Sequence, residues 1–113
     1  MNKKDRALVQ AYSKLLTHPE SFYLDPTYSL ERFAEDMNLN RTYASRFANE
    51  VLGMPFRNLL QKLRANHAAE LIKQRDMKVK DVAKASGFAS EVSFRRAYMK
   101  EFGVKPSHDR KEK

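Results

Sequence analysis

The 113 residues predict an all-α fold in which one helical pattern is used twice, and three observations lead there. Only three glycines and four prolines punctuate the chain, so few positions interrupt a helix. Between them, apolar residues recur at a 3.6-residue period rather than in strand-like alternation. The pattern of residues 30–54 then returns over residues 79–104 with equivalent turn and end residues.

A first helix is predicted over about residues 4–17, where Leu8, Tyr12, Leu15 and Leu16 share one side. Pro19 and Pro26 break the chain, and Phe22, Tyr23 and Leu24 between them are apolar enough to tuck against a core. Ser29 is a hydroxyl N-cap for a second helix, with Leu30, Phe33, Ala34 and Met37 at i, i+3, i+4 and i+7. Asn38-Leu39-Asn40 makes the turn. A third helix, about 41–52, buries Ala44, Phe47, Ala48 and Val51 and ends at Gly53.

Pro55 opens a long fourth helix that runs to about Gln74. Its inward residues are Phe56, Leu59, Leu60, Leu63, Leu71 and Ile72, and its outer face carries Arg57, Lys62, Arg64 and Lys73. A fifth helix, about 79–86, ends at Gly87, and a sixth, about 91–102, ends at Gly103 with Phe102 inward. Pro106 starts a last turn before a charged tail expected to fray. The chain thus divides into an N-terminal helix and connecting segment (1–28), a helix-turn-helix (29–54), a linker helix (55–75) and a second helix-turn-helix with the tail (76–113).

The repeat is specific in register. Leu30, Phe33, Ala34, Asn38 and Leu39 match Val79, Val82, Ala83, Gly87 and Phe88 at an offset of 49. One inserted residue then shifts the offset to 50, where Arg46, Leu52, Gly53 and Met54 match Arg96, Phe102, Gly103 and Val104. A short helix, a tight turn and a longer helix form the helix-turn-helix pattern, whose second helix can enter a DNA major groove. A duplicated hairpin used only for packing is the bland alternative, but two copies are fewer than a solenoid needs. The fourth helix, at about 1.5 Å per residue, is roughly 30 Å long, close to the ~34 Å of one DNA turn that separates two reading helices on one face.

Charge points the same way. Lys and Arg number 22 against 14 Asp and Glu, a formal net charge of +8 that lies in the second half of the chain. Such an excess favours a polyanionic partner, with nucleic acid first. There is no cysteine, hence no disulfide framework or catalytic thiol, which suits a reducing cytoplasm. His18, His67 and His108 have no ligand-like spacing, no Ser/His/Asp set or phosphate-cradling glycine loop is present, and so neither catalysis nor any metal or cofactor is expected. No apolar run approaches the ~20 residues of a membrane span, and no membrane contact is expected. RNA is the poorer nucleic-acid reading, because the aromatic residues fall at core positions rather than on a stacking surface.

On the third helix, the side opposite Ala44, Phe47 and Val51 carries Arg41, Thr42, Ser45, Arg46 and Asn49. The sixth helix presents Glu91, Val92, Arg95, Arg96 and Met99 opposite Phe94, Ala97, Tyr98 and Phe102. Arg can donate twice to guanine, Glu can accept from cytosine and Val92 can meet a thymine methyl. A solvated polar face is the alternative, and exposed Val92 and Met99 fit it poorly. Glu91 and Arg95 are also spaced for an i,i+4 salt bridge that DNA would have to displace. Arg41, Arg57, Lys62, Arg64, Lys100 and Lys105 are the candidates for phosphate contact, which sets register without reading sequence.

The second unit carries a specific set: Val82-Ala83, Gly87-Phe88, Ser90, Phe94-Arg95-Arg96-Ala97-Tyr98 and Lys100-Glu101-Phe102-Gly103-Val104-Lys105-Pro106-Ser107. With these residues, the stretch 29–110 resembles the AraC/XylS-type DNA-binding domain. The resemblance implies a homeodomain-like domain of about seven helices, in which two helix-turn-helix subdomains are joined by a long central helix. It also implies the C-terminal effector part of a longer bacterial, cytoplasmic transcription factor whose sensing domain is missing here. The implied partner is double-stranded promoter or operator DNA; a module that docks on an acidic protein partner such as RNA polymerase is a second reading of the same basic chain, and the two can coexist. By position, the implied base-facing residues are Thr42, Ser45 and Arg46 in the first unit and Glu91, Val92, Arg95 and Arg96 in the second. Three departures stand out: Met77-Lys78-Val79 lacks a hydroxyl cap, Asp109 replaces a closing tyrosine, and His67 stands where the middle helix often has arginine.

Overall fold

The computed structural model describes residues 1–18, 21–74 and 76–110. Among the described residues it contains seven α-helices and no strand: α1 (Lys3–Thr17), α2 (Leu30–Asp36), α3 (Arg41–Phe47), α4 (Phe56–Gln74), α5 (Val79–Ala85), α6 (Glu91–Phe102) and α7 (Pro106–Arg110). A 3₁₀ turn spans Phe22–Leu24, and a π-helical turn, Ala48–Leu52, continues α3. The expected break at Pro19 and the tail beyond Arg110 lie outside the described residues.

The helix starts follow cap chemistry. Side-chain oxygens of Asn2, Ser29, Asn40 and Ser90 accept from the backbone N–H three residues on, at the starts of α1, α2, α3 and α6. Lys78, at the start of α5, makes no such bond, as the missing hydroxyl predicts. The long helix begins at Phe56, with Pro55 accepting from the Leu59 amide, so the proline precedes the first turn instead of lying in it.

The chain folds as two compact units, Met1–Phe22 with Thr27–Leu59, and Tyr23–Pro26 with Leu60–Lys113. The boundary in α4 follows Leu59. In the first unit an aromatic core gathers Tyr12, Phe22, Tyr28, Phe33 and Phe56; the Phe33 and Phe56 rings stack with centroids 4.3 Å apart. Ala44, Phe47 and Ala48, from α3 and the turn that continues it, are fully buried in the same unit. In the second unit the core is Ala68, Ala69, Ile72, Val82, Ala83, Phe88, Phe94 and Tyr98.

Each copy of the repeat reaches the same local shape with different core volumes. The turn after α2 is made by Asn38 at φ +57°, and the turn after α5 by Gly87 at φ +88°. Both turns close with the same bond, Leu39 N–H to the Ala34 carbonyl and Phe88 N–H to the Ala83 carbonyl. At the three inner positions the first copy has Ala44, Phe47 and Ala48, whereas the second has Phe94, Ala97 and Tyr98. The bulk therefore comes from the middle position in one unit and from the flanking positions in the other. Phe102, expected inward, is 37% exposed at the last turn of α6, where its ring meets that of Tyr98 at a tilt with centroids 4.6 Å apart.

Candidate nucleic-acid interface

The exposed stripes of α3 and α6 emerge from these cores. Anchoring Ala44 and Phe47 inward turns Arg41, Thr42 and Arg46 outward and leaves Ser45 half-buried. Anchoring Phe94 and Tyr98 inward turns Glu91, Val92, Arg95, Arg96 and Met99 outward. Val92 is 59% exposed and Met99 41%, an arrangement that hydration alone does not favour. Each helix starts at a side-chain cap and ends in a left-handed glycine, Gly53 after the π turn and Gly103 after α6.

Electrostatically the two stripes differ. On α3, Arg46 Nη1 lies 2.5 Å from Glu50 Oε2, its Nη2 lies 4.0 Å from Asp5 Oδ1, and its guanidinium sits 4.5 Å over the Tyr43 ring. The Glu50 contact, and then Tyr43, push the Arg46 pKa upward. Arg41 Nε donates to Glu31 at 2.8 Å, and this bond holds the Glu31 carboxyl below the usual range. On α6, Arg95 pairs with Glu91 at 3.4 Å, the spacing read from the sequence, whereas Arg96 is exposed and has no ion pair among the described residues. Neither Glu50 nor Asp5, forty-one positions away, is named as a partner of Arg46 by the sequence reading.

A family model described as a helix-turn-helix domain matches residues 33–112. The chain belongs to the AraC/XylS-type helix-turn-helix family. It is 33% identical over 106 residues to the HTH-type transcriptional regulator CdhR of Pseudomonas aeruginosa, which covers 94% of this chain and 30% of that one. The chain thus spans about a third of the length of the curated relatives it matches. Its fold is similar to the C-terminal domain of AraT, a response regulator from Geobacillus stearothermophilus, with TM-score 0.80, 28% identity and coverage of 94% of this chain and 84% of that one. It is also similar to the DNA-binding domain of AdpA, a global transcriptional factor solved in complex with a target DNA (TM-score 0.81, 23% identity, 93% and 90% covered). At that identity the second likeness bears on the fold alone.

One expected phosphate contact of this AraC/XylS-type domain is overturned. Arg64 is 7% exposed, and it donates from Nε to the Tyr23 carbonyl at 2.7 Å and from Nη2 to the Asp25 carbonyl at 2.9 Å. Position 64 lies midway between buried Leu60 and Ala68 on α4, so the helical period places it inward despite its charge. Burial lowers its pKa, opposed by the nearby Asp25 charge. Arg57, Lys100 and Lys105 remain exposed, and Lys62 is exposed but 3.7 Å from Glu101.

Two departures from the family pattern find partners within the second unit. The Asp109 carboxylate accepts from the buried Tyr98 hydroxyl and so ties α7 to α6; burial, first, and this bond raise the tyrosine pKa. His67 Nδ1 shares a hydrogen bond of 3.0 Å with the buried Ser86 hydroxyl, and burial lowers its pKa. Among the described residues no group of three or more His, Asp or Glu could hold a metal ion, and no helix is long and apolar enough to cross a membrane.

Proposed function

We propose that this chain is the sequence-specific double-stranded DNA-binding domain of a bacterial AraC-family transcriptional regulator, part of a longer protein that acts in the cytoplasm. In this reading α3 and α6 enter successive major grooves. The observation that carries it is the repeated cap-helix-glycine geometry, which presents an outward arginine, Arg46 or Arg96, at the same step of each copy. The net charge of +8 and the exposed Val92 support the same reading.

Thr42, Ser45, Arg46, Glu91, Val92, Arg95 and Arg96 then face base edges. Arg41, Arg57, Lys62, Lys100 and Lys105 face phosphates. The partners are promoter or operator DNA, with RNA polymerase and a sensing domain of the same regulator as the protein contacts.

In vitro selection of bound duplexes with this domain, run at two salt concentrations, tests the proposal. The expected result is an asymmetric site with two short elements about ten base pairs apart, bound more weakly at higher salt. No enrichment at either salt would overturn it.

A further inference from the structure

Arg46 is held by groups that reach it from outside its own helix. Asp5, on α1, is 8% exposed, and its Oδ1 is buried with no hydrogen-bond partner among the described residues. Arg46 Nη2 is 4.0 Å from that oxygen, an ion-pair distance beyond hydrogen-bond range. The other terminal nitrogen, Nη1, is engaged by Glu50 at 2.5 Å. A bidentate bond to guanine takes two arms of the same fork. Moving Arg46 to a base therefore strips Asp5 of its cation, and a buried carboxylate left unpaired is costly. Arg96, the corresponding residue of the second unit, has no ion pair among the described residues and carries no such constraint.

We infer that Asp5 is a specificity-determining residue that competes with DNA for Arg46. It keeps the guanidinium on the protein, so that the first unit reads its base pair at partial strength while Arg96 carries more of the discrimination. This rests on the DNA-reading role of α3 proposed above. Glu50 competes as well, through the shorter contact, but it is exposed and is rehydrated when Arg46 leaves, whereas buried Asp5 is not.

Dissociation constants of the D5N, E50Q, R46A and D5N/R46A proteins are measured on the selected site and on sites changed at each base pair in turn. D5N tightens binding to the selected site by roughly two- to fivefold and sharpens discrimination at one base pair. Both effects vanish in the R46A background. E50Q moves binding in the same direction by less; if D5N does not fold, as judged by circular dichroism, D5S supplies the test. A gain from D5N that persists without Arg46 is a simple charge effect on phosphate attraction and overturns the proposal. Unchanged binding by folded D5N, or by folded D5S where D5N is unfolded, also overturns it. If R46A leaves discrimination intact at every base pair, the reading role of Arg46 has failed and the competition falls with it. That outcome is visible in the single variant and is distinct from an inert D5N beside a damaging R46A.

Discussion

Arg64 donates to the carbonyls of Tyr23 and Asp25 across about forty residues of chain, at 2.7 and 2.9 Å, and is shielded from solvent. Its role is to satisfy two backbone acceptors of the connecting segment inside the second unit. Arg64→Met keeps the stem and deletes both donors. The expected cost is about 1–3 kcal/mol of folding stability in denaturant titration, because two half-buried acceptors lose their donors. The salt slope of DNA binding by the variant that remains folded should match the wild type, since a phosphate contact would change it by about one.

Gly87 combines a left-handed backbone, φ +88°, with a crowded approach: an added Cβ would collide with the Tyr23 carbonyl oxygen and lie 2.9 Å from Leu24 Cα. Gly103, at φ +73°, has open space where its Cβ would go. Gly103→Ala should cost about 1 kcal/mol, the penalty of the backbone conformation. Gly87→Ala should cost clearly more, because the backbone of residues 23–24 has to move as well. Thermal unfolding of the two variants side by side checks the order, and equal losses would count against the close approach.

Arg96→Ala should weaken binding to the selected site by about 1–3 kcal/mol and relax preference at one base pair. Lys105→Ala should weaken binding to every sequence alike, as expected of a phosphate contact. Competition assays with cognate and random duplexes separate the two behaviours. Equal losses on both duplexes for Arg96→Ala would remove its base-reading role.

His67 should make the fold acid-sensitive. Burial lowers its folded pKa below the usual 6.5, so the unfolded chain takes up a proton first as pH falls. The neutral imidazole's contribution is complete above about pH 6.5 and declines below it, until the folded form is protonated in turn. Wild-type Tm should therefore drop between pH 7 and 5 by more than that of His67→Gln. A wild-type profile parallel to that of the variant would show that this histidine does not titrate differently on folding.

Asp109 closes the second unit by accepting from the Tyr98 hydroxyl. Asp109→Ala leaves that hydroxyl buried and unpaired, at a cost of about 1–3 kcal/mol. Asp109→Asn keeps an acceptor and should lose less. Chemical denaturation of both variants gives the comparison.

The exposed stripes of the candidate interface were legible because they follow from local rules. The stripes of α3 and α6 come from 3.6-residue periodicity, their starts from the capping chemistry of Asn40 and Ser90, and the Glu91–Arg95 pair from i,i+4 spacing. Arg64 departs from the phosphate-facing expectation because its position between buried Leu60 and Ala68 outweighs its charge. A long aliphatic stem and five donors let arginine occupy an inward position when carbonyls are waiting there.

The repeated helix pattern, its caps and its turns are short-range consequences of residue type and spacing, and they sufficed to place the chain in its fold and family. The partners of charged side chains are a different matter. Whether a cation such as Arg46, Arg64 or Arg96 faces a carboxylate, a carbonyl or solvent depends on segments far away in sequence, Asp5 for Arg46 and Tyr23 with Asp25 for Arg64. Those partners exist only once the chain has folded, so packing alone decides which arginines remain free for DNA.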